Sequence, residues 1–171
     1  MLKYPVRRAN IAGFTLIEAM TTISILMIIV GLAGPSFEMM LARFRVRSGA
    51  DTVMAGLLLA RSEALRRNQP VKFTLTAGST DWTIATVNPV STIQAAPGGG
   101  NARLTTTTNA NQTAVTFVSS GLVDTSVARL AQIDVSAGIA GINDWRIEIH
   151  NGGQTRLCDP TLTVANDPKK C

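Results

Sequence analysis

Gly13-Phe14-Thr15-Leu16-Ile17-Glu18, followed by uncharged residues from Ala19 to Phe37, decides how the rest of this 171-residue chain is read. The apolar stretch carries one carboxylate, Glu18, near its start, and Lys3, Arg7 and Arg8 stand before it. A helix needs about 20 apolar residues to cross a bilayer, and this run meets that length. A secretory signal peptide has a shorter apolar region of about 7–15 residues, closed by a small-residue cleavage site. Here the run is longer and no convincing A-x-A motif ends it. A carboxylate at mid-depth in a membrane helix costs about 2.5–3.5 kcal/mol on insertion scales, so Glu18 is a functional candidate.

These residues resemble the prepilin processing motif of type IV pilins and type II secretion pseudopilins. The resemblance implies that a membrane peptidase cuts after Gly13 on the cytoplasmic side and methylates the new terminus, Phe14. Residues 1–13 are then a leader, 14–37 a transmembrane and assembly helix, and 38–171 a periplasmic globular domain. Pro35, twenty-one residues past Phe14, matches the helix-kinking proline of that family. The alternative is an ordinary single-pass anchor that carries a glutamate.

Glu18 has a physical rationale of its own. Cleavage would leave a positively charged amine on Phe14 in or near an apolar phase. A neighbouring subunit's Glu18 could neutralise it, removing two costly charges together and fixing the register of assembly. A carboxylate in the first turn of a helix also gains about 0.3–1 kcal/mol from the macrodipole, too little to offset burial in lipid.

The formal net charge is +5, but three of the cations lie in residues 1–13, which hold no acid, so the remainder carries only +2. The basic balance therefore overstates any affinity for nucleic acid. Cations before the apolar run place the leader in the cytoplasm and the C-terminal domain outside. The only two cysteines, Cys158 and Cys171, fall in that exported part. An oxidising compartment allows them to pair and close a short loop worth about 3 kcal/mol; otherwise they are two free thiols near the terminus.

Residues 14 to about 68 read as one helix, apolar first and amphipathic later, interrupted at Gly31, Gly34 and Pro35. Leu41, Phe44, Val53, Leu57, Ala60 and Ala64 draw a stripe that must lie on something. Glu63 and Arg67 are expected to pair on the outer side, and Asn68-Gln69-Pro70 ends the helix. Arg43, Arg45 and Arg47 fall just beyond the apolar run, where cations meet lipid head groups. The stretch Leu59 to Asn68 (LARSEALRRN) resembles the helix end of the GspH/FimT subfamily of pilin-like proteins.

Alternation marks strands at Val71–Leu75, Trp82–Val87, Thr113–Val118, Leu130–Val135 and Trp145–Ile149. Residues 88–112 read as a long polar loop, and the glycine run at 98–100 lacks the Lys-Ser/Thr ending of a phosphate cradle. Five or six short strands after one helix specify an α+β fold, pilin-like by the resemblance, with an antiparallel sheet over the helix stripe. Its parts are the amphipathic helix 38–68, a β-rich region 71–157 and a tail 158–171. Phe73, Trp82, Phe117 and Trp145 are expected as core or cross-strand anchors.

The segment Asn151 to Pro160 resembles the C-terminal signature of FimT-like minor pilins, which reads Gly-Arg-x-Arg in members that take up DNA. Gly153 and Arg156 match, but Gln154 replaces the first arginine and removes one phosphate contact. Lys169 and Lys170 could partly replace it if the tail folds back. No cofactor motif, no metal-ligand spacing and no nucleophile–histidine constellation stands out, and the one histidine, His150, lies beside a Gly-Gly turn. The sequence therefore reads as a structural subunit and not an enzyme. What the resemblance implies is a minor pilin of the bacterial inner membrane that primes a type IV pilus or occupies its tip. The work supported would be twitching, adhesion or DNA uptake. Its implied partners are prepilin peptidase, other minor and major pilins, the assembly platform with its motor ATPase, and membrane lipid. Two alternatives stay open: a GspH-type pseudopilin of type II secretion, and a tip receptor for DNA.

Overall fold

The computed structural model describes residues 13–96, 104–164 and 167–171; most of the leader and the Gly98–Gly100 run lie outside these. Residues up to Glu38 form one unit and Met39–Cys171 a second. Helix α1, Leu16–Arg67, supplies residues to both.

In the second unit α1 buries Ala42, Val46, Ala50, Val53, Leu57, Ala60 and Ala64, three and four residues apart, as a helix with one buried face must. Phe44, expected in that stripe, is instead 64% exposed, and Leu58 and Leu65 also face out. Small residues were the better guide to the buried face, because they let the sheets approach. A Cβ on Gly56 would lie 2.6 Å from the Trp82 ring and 2.9 Å from Phe73. The helix ends where Asn68 takes φ +53° and the Gln69 N–H donates back to the Ala64 carbonyl, a left-handed cap.

Among the described residues eight strands follow, not five or six: β1 Val71–Leu75, β2 Trp82–Thr86, β3 Ser91–Ala96, β4 Thr105–Thr108, β5 Ala114–Phe117, β6 Gln132–Ser136, β7 Trp145–Ile149 and β8 Thr155–Cys158. They form two antiparallel four-stranded sheets, β3-β2-β1-β5 and β4-β6-β7-β8. Both sheets contribute to one core: Phe73, Ile84, Val115 and Phe117 from the first, Ile133, Val135 and Ile147 from the second.

The stretch expected as loop, 88–112, holds β3, β4 and a 3₁₀ turn at Asn109–Asn111. The stretch gave no hydrophobic alternation because β3 packs only Ile93 and Ala96 partly against the core and otherwise pairs with β2 through its backbone. Trp82 is a core anchor, stacked obliquely on Phe73 at 5.9 Å with its indole N–H donating to the Thr52 carbonyl. Trp145 is only half-buried and lies under the Arg47 guanidinium at 4.2 Å.

Replacing Gly56 by alanine tests the close approach. Helix propensity alone would stabilise the variant by about 1 kcal/mol, whereas overpacking costs about 1–3 kcal/mol. Thermal melts should give a lower midpoint for Gly56→Ala, and a midpoint at or above the parent's would mean that the Trp82 ring has room to move.

Candidate functional site

In the N-terminal unit Gly13, Phe14 and Thr15 are outside the helix, and Phe14 is 82% exposed. Thr15 Oγ1 accepts the Glu18 backbone N–H at 3.3 Å, so Thr15 caps α1 and Glu18 occupies its first turn. Thr-x-x-Glu is the capping-box pattern, a signal in the sequence that reading Glu18 alone overlooks. Peptide Gly13–Phe14 is thus held two residues ahead of the first helical residue.

The unit's surface is apolar on every side: Leu16, Ile17, Met20, Ile23, Met27 and Leu32 are all exposed. Its hydroxyls are satisfied within the helix, since Thr21, Thr22 and Ser24 donate to the carbonyls of Glu18, Ala19 and Met20 at 2.8–3.0 Å. A helix surrounded by hydrocarbon must meet its polar groups this way. By length and composition no single helix among the described residues qualifies as a span. Leu16–Leu32 and Ser36–Arg67 qualify only together, across a break at 33–35 that holds Pro35.

At its far end α1 ties down the loops of the second unit. The Arg61 guanidinium donates to the carbonyls of Gly121 (3.1 Å) and Gly152 (3.3 Å). Gly153 takes φ +73°, and a Cβ there would meet the Gly121 carbonyl oxygen at 2.0 Å. Glycine is therefore required at 153 by both conformation and space. Glu63 is not on the outer side as expected. It is buried, with Arg66 bonding both its carboxylate oxygens at 3.0 and 2.7 Å and Arg67 adding a third bond at 2.6 Å. Hydrogen bonds from Arg66 first and Arg67 second hold its carboxyl at about 2, against burial, which opposes them.

Cys158 and Cys171 form a disulfide with Cα atoms 5.0 Å apart. The tail it closes returns beside the end of β8, where the Asp159 N–H donates to the Lys169 carbonyl at 2.6 Å. Arg156 donates to the carbonyls of Pro168 and Lys170. The structure thus gathers Arg156, Lys169 and Lys170, but part of the Arg156 donor capacity is used on the tail itself. Glu148 lies beside the disulfide, its carboxylate within 4.8 Å of both sulfurs. Those sulfurs are bonded to each other and so are not the thiolates that bind zinc. His150 is exposed at the β7–β8 turn.

A capped apolar helix, a helix–sheet domain and a disulfide-closed tail define a pilin-like subunit, and a model of the prokaryotic N-terminal methylation motif matches residues 8–34. The model of type II transport protein GspH matches residues 49–161, more than half of the chain. The chain belongs to the GspH family.

Solved structures with this fold include the type IV minor pilin FimU of Pseudomonas aeruginosa in two crystal forms. One is 19% identical with a TM-score of 0.58, covering 71% of this chain and 97% of that one. The other is 18% identical with a TM-score of 0.55, covering 69% and 99%. The minor pseudopilin EpsH of Vibrio cholerae is 17% identical with a TM-score of 0.51, covering 67% and 96%. No curated protein matches the chain in sequence.

The Glu63 cluster makes acid stability measurable. Its carboxyl is depressed from an ordinary 4.5 to about 2, so between those values the unfolded chain binds more protons than the native one. The contribution is complete above the unfolded value and is lost as pH falls toward 2. Thermal midpoints measured over that range should fall less steeply for Glu63→Gln than for the parent, and equal slopes would remove Glu63 from the acid transition.

Proposed function

We propose that this chain is a minor pilin of a type IV pilus, made as a prepilin whose leader is residues 1–13. The observation that carries the reading is the capped helix start. An exposed, non-helical Gly13–Phe14 peptide precedes a helix whose stretch up to Phe37 carries a single charge, Glu18 in its first turn. A prepilin peptidase would cut after Gly13 and methylate Phe14. The new amine and the Glu18 carboxylate of an adjacent subunit would then neutralise each other in the assembled filament. Break-point Pro35 would let the helix adjust as it packs.

On this reading the subunit waits in the inner membrane, leader in the cytoplasm and residues 38–171 in the periplasm. It joins other minor and major pilins through the assembly platform. Its role is structural, in priming the filament or in forming its tip. The disulfide-closed tail and the Gly153–Arg156 signature support the pilus. The GspH description of the matching family supports a second reading, a minor pseudopilin of type II secretion. Scoring piliation against secretion in a deletion strain divides the two. A DNA-contacting face at Arg156, Lys169 and Lys170 rests on their convergence at the tail. Mobility shifts at several salt concentrations, on the parent and on Arg156→Ala, test it.

Processing and assembly separate by mutation. Gly13→Ala should leave the full-length form on immunoblots, whereas Glu18→Ala should be cleaved but poorly incorporated into filaments. Native protein whose mass begins at Met1 would overturn the proposal, and normal incorporation of Glu18→Ala would overturn the charge-pairing argument.

A further inference from the structure

Among the described residues, one face of α1 in the second unit is only partly covered. Met40, Arg43, Phe44 and Arg47, spaced three and four residues apart, form one wall of a groove of about 560 Å³. Asn143, Trp145 and Asp159 form the other. Met40 and Phe44 are 46% and 64% exposed, large apolar side chains set between two arginines.

Both guanidiniums are held in place. Arg47 stacks on the Trp145 ring at 4.2 Å and its Nε donates to Asp51 at 3.2 Å, while one Arg43 nitrogen donates to the Gly141 carbonyl at 3.3 Å. The remaining N–H groups of both have no protein acceptor among the described residues. Asp159 is 5% exposed and remains a carboxylate, but its oxygens are occupied, one by Thr161 and the other by Asn143. The groove therefore offers fixed, unused cationic donors beside an uncovered apolar wall.

We propose that this groove seats the headgroup of an anionic membrane phospholipid. The phosphate would sit on Arg43 and Arg47, and the glycerol end would lie against Met40 and Phe44. Planar guanidinium forks match phosphate oxygens, and an indole with one apolar and one polar edge suits the membrane–water boundary. An apolar helix laid in the same groove would bury several guanidinium N–H groups without acceptors, which is costly. The proposal rests on the membrane-anchored reading above. Covalent reach alone keeps Arg43 within about 20 Å of Phe37, the end of the uncharged run, whatever path the backbone takes.

The test uses the full chain, delipidated in detergent and titrated with dihexanoyl-phosphatidylglycerol while tryptophan fluorescence is followed. Trp82 is buried in the core, so a saturable change reports Trp145. Arg43→Gln and Arg47→Gln should each weaken the response by roughly tenfold. Lys72→Gln, on the exposed side of β1, should not. An equal response to dihexanoylglycerol, which lacks the phosphate, would overturn the proposal. So would saturation by inorganic phosphate at the same concentration, or unaltered binding by both arginine variants. A photo-crosslinker at position 44 in cells should capture lipid, and capture of only another pilin-like subunit would also overturn it. Failure of the parent reading looks different, because the chain would then not sediment with membranes at all.

Discussion

Apolar side chains on α1 need cover, and the two units meet that need differently. From Ala42 to Ala64 the buried positions are largely alanine, valine and glycine, and the sheets supply the cover. From Leu16 to Leu32 the exposed side chains are mostly isoleucine, leucine and methionine. Burying a leucine or isoleucine side chain is worth about 1.5–3 kcal/mol, so the exposed ones from Leu16 to Leu32 are costly to leave in water. Under the proposed reading, lipid and then neighbouring helices satisfy this constraint.

That division explains which parts of the fold were legible in the sequence. The N-terminal motif could be read because an uncharged run has no ordinary meaning in a water-soluble domain. Strands β1, β2, β5, β6 and β7 could be read because each buries one face and so alternates. Strands β3 and β4 could not, because their Thr, Ala and Gln residues leave no hydrophobic pattern, and β8, Thr-Arg-Leu-Cys, is too short to show one. Glu63 was misplaced for a related reason. An i,i+4 charge pair looks the same whether it faces solvent or the sheets, and only the tertiary structure shows two guanidiniums enclosing a buried carboxylate.

Several residues that look functional in the sequence turn out to hold geometry. Gly153 is fixed by its positive φ and by the Gly121 carbonyl behind it, and Arg61 clamps both of the loops that meet there. Arg156 secures the tail that the disulfide closes. In this chain the glycine of that tail stretch therefore meets a folding requirement, separable from any binding role of its basic positions. Edge strand β8 gains from the same arrangement, since the returning tail covers its end and leaves less backbone to pair with another chain.

The order of events at the N-terminus follows from charge. In the intact chain the Phe14 nitrogen is a peptide amide and carries no charge, so Glu18 has no cation supplied by that position. Cleavage after Gly13 would create the amine and with it the partner that a buried carboxylate requires. Under the proposed reading, processing does more than remove the leader: it completes an ion pair whose two members belong to different subunits. The Thr15 cap contributes by starting the helix just past the Gly13–Phe14 bond, which leaves that bond outside the helix and keeps Glu18 in the first turn. A helix that began one turn earlier would enclose the Gly13–Phe14 bond and hide it from the peptidase, whereas one that began a turn later would lose Glu18 from the regular geometry on which subunit register depends.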